Sequence, residues 1–169
     1  PSEHDRRQRF IGLDNSALPY LDHQWLRQQI PASSARVVFA CTHNSARSVL
    51  ASALWSKRFN RIAGAGGTSP GSRIHPATIR TARKHEVPLL QDAPVHLEEV
   101  LEESDVLVTV CDAANNYVQP HPLHLHWSIP DPVASNDPGA FDAAFDHIVE
   151  RIDRLGTAMD APLPKESKG

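Results

Sequence analysis

The chain has 169 residues, 40% hydrophobic and 22% charged, a mixture that suits one compact domain and excludes a disordered chain or a coiled coil. A formal net charge of −3 and a pI near 6.4 give no cationic surplus to neutralise a phosphate backbone, so no nucleic-acid partner is expected. The longest uninterrupted apolar run, Val37 to Cys41, is far shorter than the roughly 20 residues that cross a bilayer, and the first residues lack a signal peptide's apolar core. The expectation is a cytoplasmic protein with no membrane partner. Cys41 and Cys111 are too few for a disulfide scaffold or, alone, for a structural zinc site, and are either buried small hydrophobes or reactive thiols.

In chain order, Leu21, Trp25, Leu26 and Ile30 recur at helical spacing, so 1–34 reads as a helical extension or linker, with the tail of a longer fusion as an alternative. Val37-Val38-Phe39-Ala40 is a continuous apolar run with β-branched residues, the pattern of a central strand covered on both faces. A helix is expected over 48–59, where Leu50, Ala53 and Leu54 mark one face. A weak strand over 61–65 runs into the glycine-rich stretch 64–71. Pro76 opens a second helix to about Lys84, and 95–101 suits a third, short one.

The run 105–110 reads as another doubly buried strand, and the alternating His and Leu of 123–127 as a strand nearer an edge. The last helix is capped by Asp137, carries Pro138 at its first position, shows the stripe Phe141, Phe145, Ile148, Ile152 and Leu155, and stops at Gly156. Residues 161–169 are expected to be a disordered tail beyond a domain spanning 35–160. Strands alternating with helices predict an α/β fold with a parallel, doubly wound sheet, whose ligands bind beyond the carboxyl ends of the strands.

The first such end carries Cys41-Thr42-His43-Asn44-Ser45-Ala46-Arg47-Ser48. A loop between a buried strand and a helix N-terminus can turn its backbone N–H groups around one anion, aided by the helix dipole. The same field is expected to lower the Cys41 pKa and hold a thiolate. Arg47 offers a planar fork to two oxygens of a tetrahedral anion, Ser48 can donate to the thiolate, and Asn44 tolerates left-handed backbone angles while its amide holds the loop.

The stretch VVFACTHNSARSVLASAL resembles the nucleophile loop of the low-molecular-weight protein tyrosine phosphatase superfamily, and within it the arsenate reductases. The likeness extends through SPGSRIHPATIRTARKHEVPL, DVLVTVCDAA, HWSIPDP and the last helix, about residues 35–156. It implies a four-stranded parallel sheet flanked by helices, with the Cys41 strand in the middle. It also implies Cys41 as nucleophile, Arg47 with the loop amides of residues 42–47 as oxyanion site, and Asp131 of Trp127-Ser-Ile-Pro-Asp131-Pro132 as general acid. Such an acid is needed because hydroxide or alkoxide leaves poorly unless protonated. Asp112 is the second candidate acid.

Two departures bear on the reaction. Phosphatases of this superfamily follow their Asp-Pro with tyrosines, whereas here no aromatic residue precedes Phe141. Relay-type reductases carry two further cysteines after the third strand; Cys111 matches the first, and residues 112–120 contain no second. The resemblance therefore implies a thiol-dependent arsenate reductase whose reductant is external, a small thiol such as mycothiol or glutathione, or a redoxin, with Cys111 as an alternative resolving thiol. The other readings are a phosphatase for a non-aromatic phosphoester and a non-catalytic oxyanion-binding module. His121, His124 and His126 invite a metal, but the alternation of an edge strand explains them equally and no bound metal is expected. Ser52 stands where cation-binding reductases carry an acid, so no bound potassium is expected either.

Overall fold

The structure is a computed structural model that describes residues 36–160; the expected extension at 1–34 and tail at 161–169 lie outside these residues. The elements are β1 (Val37–Cys41), α1 (Arg47–Phe59), β2 (Ala63–Gly67), α2 (Pro76–Lys84), α3 (Leu97–Val100), β3 (Val106–Thr109), α4 (Asp112–Tyr117), β4 (His124–His126) and α5 (Ala140–Asp160). The four strands form one sheet in the order β2-β1-β3-β4, every pairing parallel. This is the expected architecture, with β1 interior and β4 at an edge.

Alternation along β1 builds two cores. Val37, Phe39 and Cys41 face a large cluster with Leu50, Leu54 and Trp55 of α1 and Phe145, Ile148 and Ile152 of α5. Val38 and Ala40 face a smaller one with Leu97 and Leu107. Both faces of β1 are therefore dry, which is why its sequence reads as an unbroken apolar run. α3 lies on the second face because β2 is nearly bare: a Cβ at Gly66 would sit 2.6 Å from the Leu97 backbone.

The larger differences from expectation fall at β2, α3, α4 and both ends of α5. β2 runs to Gly67, so glycines assigned to a loop are strand residues, paired with Ala40 and Cys41. The third helix is a single turn rather than 95–101. α4 was not anticipated, since of its residues only Ala114 is buried and six residues show no apolar period. α5 begins at Ala140, because Asp137 forms a turn in which its carboxylate accepts from the Gly139 N–H at 2.9 Å and its carbonyl from the Ala140 N–H at 3.1 Å. Pro138 thus lies in that turn rather than at the first helical position. Gly156 does not end the helix either, which continues to Asp160.

Candidate active site

Residues 41–48 close a loop at the carboxyl end of β1, and a second segment pulls its carbonyls outward. The Thr68 and Ser69 N–H groups donate to the carbonyls of Cys41 and Thr42 at 3.1 and 2.8 Å, and those of Gly71 and His75 to His43 and Ser45 at 2.9 and 3.0 Å. The buried Thr78 hydroxyl adds a bond to Ser45 O at 2.8 Å. In a trans peptide the N–H points opposite to the C=O, so these bonds turn the amides of residues 42, 43, 44 and 46 toward the concave side. Asn44 has φ 50°, the left-handed angle anticipated for it. Gly67 lets the loop close on β2, because a Cβ there would lie 2.7 Å from Thr42 O.

Cys41 is buried at the floor of this loop with Sγ 3.0 Å from Ser48 Oγ. The neighbours of that contact orient the Asn44 amide. The Val95 N–H can only donate, and it meets Asn44 Oδ1 at 2.9 Å, as does Gln91 Nε2 at 2.7 Å. Asn44 must then present Nδ2 to Ser48 Oγ, at 2.9 Å, which leaves Ser48 one lone pair and its own proton for Cys41, so that it can accept from the thiol and donate to the thiolate. Burial nevertheless pushes the Cys41 thiol up; donation from the Ser48 side chain and from the Ser48 and Asn44 N–H groups pulls it down, and the nearby Cys111 pushes it up again. The expected net lowering is corrected accordingly. At this depth desolvation of the charge outweighs the donors.

The remaining predicted residues surround this floor. Arg47, largely buried, donates from Nη1 to Ile129 O at 2.8 Å and holds Nη2 3.7 Å from the Asp131 carboxylate. The segment following β4 is thereby brought to the loop, with Asp131 half exposed and turned on itself by a bond from the Val133 N–H. Thr42 is half-buried with its hydroxyl 3.5 Å from Cys111 Sγ; His43 is exposed, Ser45 half-buried and Ala46 buried. Asp112 accepts from His126 Nε2 at 2.8 Å and is held below the usual carboxylate range by that bond, by Ser128 and by the charges of His126 and Arg47. A carboxyl so stabilised as the anion is a poor proton donor, which disfavours it as the acid.

Cys111 lies at the carboxyl end of β3, buried, as the N-cap of α4, its sulfur accepting from the Ala114 N–H at 3.4 Å. His124 and His126 do share a strand face, but both meet the hydroxyl of Thr109, at 3.0 and 2.9 Å. Among the described residues no group of three or more His, Cys, Asp or Glu is placed to hold a metal ion, and no helix is long and apolar enough to cross a membrane. Gln91, Val95 and Thr78 support the loop without any sequence signal, since each acts through a position that only the tertiary fold supplies.

A parallel four-stranded sheet with a Cys-to-Arg loop at the end of an interior strand is the arrangement of the low-molecular-weight phosphatase fold. Residues 36–168 match the family model described as Low molecular weight phosphotyrosine protein phosphatase, and the chain belongs to that family. It is 30% identical over 127 residues to an arsenate reductase of Bacillus anthracis, covering 70% of this chain and 92% of that protein. The arsenate reductase of Archaeoglobus fulgidus superposes with a TM-score of 0.64 at 27% identity, over 71% of this chain and 98% of that one. A thioredoxin-dependent arsenate reductase of Corynebacterium glutamicum has the same fold, with a TM-score of 0.61 at 20% identity over 82% and 70% of the two chains.

Proposed function

We propose that the protein is an arsenate reductase in which Cys41 is the nucleophile, Arg47 and the loop amides hold the oxyanion, and Asp131 is the general acid. The observation that carries this reading is the placement of two buried thiols at the ends of adjacent parallel strands. In the β1–β3 register Ala40 pairs with Thr109, so Cys41 stands opposite Val110 and one residue from Cys111. Strand spacing and rise then give a Cα separation of about 6 Å, inside the range a disulfide spans. A phosphatase using water in its second step has no use for the second thiol, whereas a reductase has.

The chemistry balances with two thiols. The Cys41 sulfur attacks arsenic, forming an S–As bond, while an As–O bond breaks and Asp131 protonates the departing oxygen as water. Because burial favours the neutral thiol, its proton passes to the oxyanion as the anion enters. A second thiolate, from Cys111 or an external thiol, then attacks the Cys41 sulfur. The S–As pair stays on arsenic, giving arsenite, and the two sulfurs end as a disulfide. A small thiol or a redoxin restores them, a role supported by the thioredoxin dependence of the Corynebacterium protein.

The test is arsenate-dependent thiol consumption measured beside phosphoester hydrolysis. Cys41→Ser is expected to abolish turnover, while Cys111→Ser keeps a substantial fraction when a low-molecular-weight thiol is supplied. If Cys111→Ser is equally dead and a Cys41–Cys111 disulfide is trapped after one turnover, Cys111 is the resolving residue. Thiol consumption that does not respond to arsenate overturns the reductase reading in favour of hydrolysis or plain anion binding.

A further inference from the structure

Asp112 is most of the way into solvent yet is held by two side chains. Its Oδ1 lies 2.8 Å from His126 Nε2, and the Ser128 hydroxyl also bonds it. The His126 ring is fixed from its other side, with Nδ1 3.2 Å from Thr109 O and 2.9 Å from Thr109 Oγ1. His126 ends β4, and Ser128 and Ile129 lead from it to Asp131, where Arg47 takes over through Ile129 O. Asp112 is also the first residue of α4, directly after Cys111. The helix contributes only Ala114 to the core, and a separate bond from the Thr109 hydroxyl to Asn115 Oδ1, at 3.0 Å, holds its later part.

We propose that Asp112 is a positioning residue that latches the first turn of α4, and with it Cys111, to the strand-end segment carrying Asp131. The proposal rests on the roles given above to the two cysteines and Asp131. It assigns to the His126–Asp112–Ser128 contacts a function that neither helix packing nor the Asn115 bond supplies. The Cys111 sulfur is buried, accepts from the Ala114 N–H and lies 3.5 Å from the Thr42 hydroxyl, so a reagent from solvent reaches it only when this first turn moves. The latch sets how often it does so, and it makes the thiol side and the acid side of the site move together.

The test reads the two thiols directly and needs no turnover. Iodoacetamide alkylation of the full chain, resolved by cysteine with mass spectrometry, compares the wild type with Asp112→Ala and Asp112→Asn. Asp112→Ala is expected to raise the Cys111 rate roughly tenfold, as loss of a charge-assisted bond allows, and to leave the Cys41 rate within about twofold. Asp112→Asn, whose amide oxygen still accepts from His126, is expected to restore most of the protection. An unchanged Cys111 rate in Asp112→Ala, equal acceleration of both cysteines, or no rescue by Asn would each overturn the latch. Because arsenate is absent from the experiment, none of these outcomes depends on the reductase reading, which stands or falls on thiol consumption.

Discussion

The Cys41 sulfur sits between two opposed effects, and the donor chain through Asn44 and Ser48 decides how far burial prevails. The links from the Val95 N–H to Asn44 and from Asn44 to Ser48 have one allowed direction, and Ser48 donates to the sulfur once it is a thiolate. Ser48→Ala removes the last donor without adding volume. It is expected to move the pH midpoint of Cys41 alkylation upward by roughly one unit, the size of a hydrogen bond to a charged acceptor; an unmoved midpoint would show that Ser48 does not donate. Arg47→Lys keeps the charge but loses the planar fork and the bond to Ile129 O. Protection of Cys41 by arsenate should therefore need at least roughly tenfold more arsenate, and equal protection by the Lys variant counts against a forked contact. Cys41, Asn44, Arg47 and Ser48 were legible because one loop holds them in sequence. Gln91 and Thr78 were not, since they reach the loop across 47 and 33 positions of chain.

At the scale of elements, the strands and long helices were legible from their apolar pattern, and the failures fall where tertiary contacts replace pattern. Gly156 reads as a stop, yet it is the place where α5 admits the Phe59 ring of α1: a Cβ there would overlap the end of that ring. Trp55 packs against that ring, tilted by 54° with centroids 4.7 Å apart, and limits its retreat. Gly156→Ala should thus lower stability by about 1–2 kcal/mol despite the better helix propensity of Ala. Adding Phe59→Leu should recover part of the loss in a urea melt, which independent sites would not do. α2 ends oppositely, with a strained residue where glycine is usual. The Glu86 and Val87 N–H groups donate to Arg83 O and Ala82 O at 3.1 and 2.8 Å, a Schellman closure with Glu86 at φ 56°. Glu86→Gly relieves a left-handed angle that disfavours side chains, and should raise stability by about 0.5 kcal/mol. A lower urea midpoint in that variant would refute the account.

At the scale of the whole molecule, the β3–β4 edge carries a group, among the described residues, whose protonation opposes folding. His124 is buried against the Thr109 hydroxyl, and its pKa is lowered to about 4, first by burial and then by the charges of His126 and His121. An unfolded chain returns it to about 6.5. Between these values the unfolded state binds the extra proton, so stability rises with pH across this window, is fully present above it, and is lost as pH falls toward 4. The largest loss from this group is on the order of 3 kcal/mol, a sizeable share of a domain's stability. Below that window a second loss begins, because Asp112 and Asp142 are held below the usual carboxylate range by His126 and by Lys84. Urea midpoints taken from pH 8 down to 2 should therefore be flat at first and fall through the histidine window. His124→Gln, which can still bond the Thr109 hydroxyl, should flatten that fall while leaving the acid limb below pH 4 in place. An unaltered slope in the Gln variant would assign the sensitivity to another histidine.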